Sequence, residues 1–370
     1  MNNSNPHKRL LSLDALRGFD MLFIMGGASL VTALAALAPD SAIMQWLSEQ
    51  MHHVSWDGFA HHDTIFPLFL FIAGLSFPFS LAKQRESGVP DKKICLKVIR
   101  RALTLVVLGL IYGGLLKFEF DTFRIPSVLG RIGLAWLFAA MLFMWLSTRT
   151  RIIVALLILA GYSLLLLIPA PDAAGADIWS REGNICGYID RLILGSHIYK
   201  QKALDPEGIL STLPAIVTAM LGMFTGEFIA RKTMSESRKA VYMVIGAAIL
   251  LVGGLILNEF QPINKTLWTS AFVLTAGAYS LFMFSLFYYV IDVRGWSRWC
   301  YFFKVIGVNS ITIYMAQRII GFKAATKFLF GGVAAYLPEA WGAVVLAAGY
   351  IAVCWVFLYL LDKKQIYLKV

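Results

Sequence analysis

The residues best equipped for chemistry form one short run, His53-Val54-Ser55-Trp56-Asp57-Gly58-Phe59-Ala60-His61-His62-Asp63, which holds three of the chain's six histidines and two carboxylates. An imidazole titrates near neutrality, so it can act as a general base or accept an acyl group, and a neighbouring carboxylate can orient its ring. By chemistry alone His53, His61 and His62 are tied for that role, with Asp57 and Asp63 as orienting groups. A metal centre is the competing reading, but HxxxD followed by HHD is no standard ligand set, and no HExxH is present. No metal is therefore expected. Cys95, Cys186, Cys300 and Cys354 are scattered without a CxxC, and suggest neither a disulfide framework nor a metal site.

Other polar residues stand in costly surroundings. Asp14 and Arg17, three apart, share one helical face at the start of an apolar run, and Arg17 offers a cation to phosphates. Asp20 lies one turn deeper, where a carboxylate needs a partner or a wet cavity. Gly26 and Gly27 permit close approach of a helix or ligand. FRIPSVLGRIG places Arg124 and Arg131 seven residues apart, on roughly the same face, with Pro126 in a first helical turn. Arg131 should meet a carboxylate or a ligand, Asp63 and Asp20 being candidates. Asn264 and Lys265 precede one apolar run, and Asn309, Ser310, Tyr314 and Gln317 form a polar stripe on another.

These residues must be positioned by membrane helices. Of the 370 residues, 58% are hydrophobic and 15% charged, with mean hydropathy +0.69. Soluble domains carry about 25% charge. The apolar residues fall in blocks long enough to span a hydrocarbon core of about 30 Å. The expected fold is all-α, a polytopic helical bundle of about ten transmembrane helices. The expected spans are 15–37, 64–82, 99–117, 127–147, 152–170, 209–230, 239–257, 268–291, 302–320 and 338–361. Residues 321–337 could add a re-entrant or surface helix, making eleven. The basic first ten residues lead into a stretch too long for a signal peptide, which reads as the first span.

Loop charge gives orientation. Alternate loops hold 20 basic residues, from Lys8 and Arg9 to Lys369, and the other set holds 9, Lys323 and Lys327 among them. The richer set should be cytoplasmic, as should both termini. The same distribution explains the net charge of +11 without nucleic acid. The chain is expected to be a single transmembrane domain, with outer loops 38–63 and 171–208 flanking the site. The first carries the histidine cluster and no Lys or Arg; the second contributes Asp190, Arg191, His197, Asp205 and Glu207.

Seven ordered segments carry a resemblance: SLDALRGF (12–19), HVSWDGFAHHDTIFPLFLFIAG (53–74), FRIPSVLGRIG (123–133), GYIDRLILG (187–195), DPEGILSTLPAIVTAMLG (205–222), INKTLWTSAFVL (263–274) and GVNSITIYMAQ (307–317). Through them the chain resembles the heparan-alpha-glucosaminide N-acetyltransferase family of membrane acyltransferases, including bacterial members described as N-acetylglucosamine-related transporters. The resemblance implies transfer of acetyl from cytoplasmic acetyl-CoA, a co-substrate, to the amino group of a glucosamine-like sugar on the periplasmic side. It selects His53 as base or acyl acceptor, with Asp63 and Asp57 in the catalytic set. Arg17, Arg124, Arg131 and Asn309 are then expected to bind acetyl-CoA, and Trp56, His61, His62, Asp205, Glu207 and Asn264 the acceptor. It also suggests a homodimer, while a bare ten-span chain without targeting extensions is expected to be a multi-pass protein of the bacterial inner membrane, in contact with lipids. Two positions depart from the family pattern: Asp57 stands where the family has Asn, and Ala28 where the sugar-acetylating enzyme has a functional Asn. The luminal N-terminal domain of the animal enzymes is expected to have no counterpart here. A transporter of N-acetylglucosamine or a related amino sugar is the alternative. The missing span 1 asparagine favours it, and the lack of clear inverted repeats counts against it.

Overall fold

The computed structural model describes residues 10–368, so Lys8, Arg9 and Lys369 of the loop-charge comparison lie outside it. The elements among these residues are helical. They are α1 (Leu11–Leu22), α2 (Ala28–Ala36), α3 (Ala42–Glu49), α4 (His61–Glu86), α5 (Asp91–Gly113), α6 (Val128–Trp145), α7 (Thr148–Leu165), α8 (Ile185–Leu194), α9 (Thr212–Ala230), α10 (Glu236–Asn258), α11 (Ser270–Phe287), α12 (Cys300–Val308), α13 (Ser310–Ile319), α14 (Phe322–Tyr336) and α15 (Glu339–Lys363). Small polar side chains start several of them. Ser41, Ser127, Ser147 and Asn184 each accept a hydrogen bond from the backbone N–H three residues on, satisfying a donor the helix leaves open.

Among the described residues, eight helices are long and apolar enough to cross a membrane, or nine if one bent pair counts as a single span. This is a polytopic helical membrane protein. Two of the ten expected spans take another form. The expected 99–117 span is the 23-residue helix α5, whose Lys97, Arg100 and Arg101 leave it more charged than the eight. The expected 302–320 span is broken at Asn309 into α12 and α13, and α13 bends by 80° into α14. Asn309 has left the helical conformation, with φ −119° and ψ 25°. The moderately apolar stretch 321–337 is thus helical, as the second arm of that bent pair.

The chain divides into two compact units. The first comprises the described residues up to Ser55, then Ala60–Ile65, then the chain from Met283 onward. Here α1 packs directly on α12. A Cβ on Gly18 would lie 1.8 Å from the Phe303 carbonyl oxygen, and one on Gly307 would lie 2.0 Å from that of Asp14. Between α1 and α2 the helix widens into a π turn, Phe23–Gly27, where Gly26 takes φ +116°. That conformation favours glycine, and Tyr350 and Ile351 stand against it. Helices α14 and α15 pack together in the same unit.

The second unit comprises Trp56–Phe59 and Phe66–Phe282. Its core joins Phe66, Leu70 and Phe77 of α4, Trp136 and Ala139 of α6, and Ala215, Ala219 and Met223 of α9 to Trp268 and Phe272. Helices α4 and α9 touch backbone to backbone: Gly74 lies under the Ala219 carbonyl and Gly222 under that of Phe71. Close approach through small residues is how membrane helices gain packing energy where lipid is as apolar as leucine.

Gly222→Leu should therefore force α4 and α9 apart, at a cost of about 1–3 kcal/mol or more. A methyl group added at Gly161 in α7 would meet nothing within 4 Å, and Gly161→Ala should be neutral or stabilising. Thermal unfolding of the detergent-solubilised variants, followed by size-exclusion recovery, checks both.

Candidate functional site

The opening of α4 builds the centre of the site. His61 begins the helix, and Asp63 falls in its first turn, where the helix dipole favours a negative charge. The Asp63 side chain is only 3% exposed, against 56% for His53. Asp63 Oδ1 lies 2.7 Å from His53 Nδ1, and Oδ2 accepts the Val54 N–H at 3.2 Å. Both carboxylate oxygens are thus engaged by the 53–54 segment, which fixes the position of the His53 ring. The two flanking histidines have separate settings. His62 stacks beside His53 with ring centroids 4.5 Å apart, whereas the His61 ring packs edge-on against Phe23 of the π turn, at 4.3 Å. Gln50 ties both to the loop, its carbonyl accepting the His62 N–H and its side chain that of His61.

A large cavity of about 1330 Å³ opens in the same unit. His52 and His62 line one part of it, the π turn and Ala28 another, and Gln317, Lys323, Lys327 and Tyr350 the rest. Tyr350 Oη donates to Gln317 Oε1 at 3.1 Å. Ala28 therefore faces this space. Arg17 sits with Asp14 at 3.9 Å. Asp20 is buried, and neither of its oxygens has a hydrogen-bond partner among the described residues. Asn309, at the helix break, takes a hydrogen bond from Thr312 on Oδ1 and leaves its buried Nδ2 without an acceptor.

The second unit holds the remaining candidates in a separate polar cluster. Arg124 is ion-paired with both Asp205 and Glu207, with Nε donating to Asp205 at 2.9 Å and the Tyr199 ring beneath it. Burial works against the charge on Arg124, yet the Asp205 hydrogen bond and the Glu207 and Asp205 charges hold the guanidinium above its ordinary range. Asp205 also accepts the Tyr199 and Glu207 N–H groups. Asp190 accepts those of Asp205 and Ile209, while burial pushes its carboxyl up to about 6. Arg131 is fully buried. Its expected carboxylate partner is not Asp63 or Asp20: it donates to Ser211 and the Gly208 carbonyl and lies 5.0 Å from the Trp268 ring. Asp63 is already committed to His53 and Val54. Trp56 donates to the Trp179 carbonyl, with Arg181 over its ring, and Asn264 caps the turn before α11 through Leu267 and Thr269. Asp57 is exposed.

The structure thus brings His53, Asp63 and His62 together, and sets His61 against the π turn. Arg124, Asp205 and Glu207 meet one another. Sequence reasoning passed over His52, which lines the cavity, and treated Lys323 and Lys327 only as loop charges. A visible signal was that both lysines precede an apolar helical stretch without an acid nearby.

The fold, with an exposed His53 held by a buried Asp63, defines a polytopic membrane protein with a polar centre at the start of a spanning helix. No family model matches the chain. In sequence it is similar to the heparan-alpha-glucosaminide N-acetyltransferase of Mus musculus, 28% identical over 323 residues, covering 72% of this chain and 49% of the mouse protein. It is also similar to the Homo sapiens protein of the same name, 29% identical over 322 residues, covering 72% and 48%. The chain spans about half the length of these relatives.

Arg124→Ala should leave buried Asp205 uncompensated, at a cost of about 3–5 kcal/mol. A clear drop in melting temperature is expected, and an unchanged one would show that the cluster does not hold the 171–208 segment.

Proposed function

We propose that this chain is a membrane acetyltransferase, taking acetyl from acetyl-CoA at the cytoplasmic face and delivering it to the amino group of a glucosamine-like sugar at the opposite face. The observation that carries this reading is the 2.7 Å contact between His53 Nδ1 and the buried Asp63 carboxylate. The carboxylate keeps the proton on Nδ1 and leaves Nε2 as the free lone pair, the arrangement a general base or acyl acceptor needs. Exposure of His53 gives a substrate access to that nitrogen. The similarity to named N-acetyltransferases supports the same chemistry.

In this mechanism His53 Nε2 removes a proton from the acceptor amine as that nitrogen attacks the thioester carbonyl. The carbon–sulfur bond then breaks, and the proton passes to the departing thiolate. In the two-step variant Nε2 itself first takes the acetyl group. Asp63 stabilises the positive imidazole that forms in either course. His62, stacked on His53, helps to orient the acceptor, and Arg17 attracts the phosphates of acetyl-CoA. The loop-charge asymmetry supports cytoplasmic termini, and with them an outer position for the His53 loop. A bacterial inner membrane and a homodimer belong to the same reading.

With purified protein, labelled acetyl-CoA and glucosamine, His53→Ala should lower acetyl transfer by roughly 10²–10⁴-fold. Asp63→Asn should lower it by a similar order, since the amide can donate to Nδ1 and favour the wrong tautomer. Wild-type rates in His53→Ala would sink the assignment. Uptake of sugar into liposomes lacking acetyl-CoA, without transfer, would favour the transporter instead. Acid-quenched protein that carries label before acceptor is added would select the two-step course.

A further inference from the structure

The 1330 Å³ cavity of the first unit exceeds the roughly 300–1,000 Å³ of ordinary small-molecule pockets, and its charge is lopsided. Lys323 and Lys327 lie one turn apart on α14, and both line it. Neither ammonium group is hydrogen-bonded or ion-paired to another described residue. Lys323 stands in the first turn of its helix, where the dipole disfavours a cation, and no acid stands in that turn to offset it. Glu339 is the one carboxylate among the lining residues, and the first turn of its own helix α15 accounts for it. Helix stability thus accounts for the acid and disfavours Lys323 where it stands. The helix N-terminus and two uncommitted ammonium groups together make a positive wall, while His52 and His62 line the same cavity.

We propose that this cavity receives an amino-sugar acceptor bearing an anionic group, a phosphate in the simplest case, which Lys323 and Lys327 hold while the amine lies toward His62 and the adjacent His53. This rests on the acetyltransferase reading and narrows its acceptor from amino sugars in general to anionic ones. The anion could belong to a water-soluble sugar phosphate or to a sugar linked through phosphate to a lipid; the lysines would meet either in the same way.

The test compares glucosamine with glucosamine 6-phosphate on wild-type protein and on a Lys323→Gln/Lys327→Gln double variant. Binding is followed by thermal shift and isothermal titration, and acetyl transfer separately. Charge-assisted bonds to phosphate should make the wild type prefer the phosphorylated sugar by about tenfold or more, and the double variant should lose that preference. Lys323→Arg/Lys327→Arg should keep it. An equal preference in wild type and double variant overturns the inference, even if neutral glucosamine is acetylated normally. Conversely, lysine-dependent phosphate binding without acetyl transfer keeps the anion site and defeats the enzyme reading. Nanodiscs of phosphatidylglycerol or phosphatidylcholine supply the last arm. If the double variant changes only the response to anionic lipid, the lysines read headgroups and the proposal fails. A glucosaminyl lipid phosphate outcompeting the soluble phosphate in the wild type would identify the lipid-linked source.

Discussion

The arrangement around the proposed centre depends on the burial of one carboxylate. Asp63 is 3% exposed at the head of α4, and a charge so placed is tolerable only when its lone pairs are used. The nearest donors belong to the preceding loop, so satisfying Asp63 draws His53 Nδ1 and the Val54 N–H onto the helix. The cost of burial is thereby converted into geometry: the loop closes, the ring orientation is fixed, and one imidazole edge stays open. The dipole of α4 adds a favourable term for the same charge. A serine or alanine at 63 would lose the carboxylate that holds His53 Nδ1 and the Val54 N–H, leaving the loop tied to α4 through Gln50.

The π turn in the first spanning segment plays the complementary part. A regular helix from Leu11 to Ala36 would present a continuous flank of side chains. Widening it at Phe23–Gly27, with Gly26 in a left-handed conformation, changes the register of everything beyond. Phe23 is turned against His61, and Ala28 faces the cavity. The small side chain at 28 leaves that part of the wall apolar. Gln317, held through its oxygen by Tyr350, supplies an amide on the same cavity from another helix.

What could be read from the sequence follows from what each signal depends on. Apolar runs report burial in lipid directly, so most spans were legible to within a few residues. The 302–320 run looked continuous because hydropathy is blind to backbone direction: Asn309 ends α12 and the chain turns 80° after α13, and it is α13 with α14 that together are apolar enough to span. His53 and Asp63 were visible as types, but their pairing needed a ten-residue loop to close, which spacing alone does not dictate. Resemblance ranked the three histidines where chemistry left them tied. Arg131 illustrates the limit. Burial of a charge demanded compensation, yet the sequence offered several carboxylates and could not say that Ser211, a carbonyl and an indole ring would meet it instead.

The cations of this protein divide by how thoroughly the fold consumes them. Arg124 is locked between two carboxylates, and Asp205 also holds backbone N–H groups, so a phosphate would have to displace a finished network. Removing one partner from such a buried pair costs about 3–5 kcal/mol. Arg17 shares Asp14 at the longer distance of 3.9 Å and retains partial exposure, a looser claim on its charge. Lys323 and Lys327 are the opposite extreme, both placed on a cavity wall, and Lys323 stands there against the preference of its helix dipole. Since each cation's availability is set by the acids already paired with it, the proximity of an arginine to a recognisable motif is a poorer guide to anion binding than an ammonium group that no described carboxylate pairs.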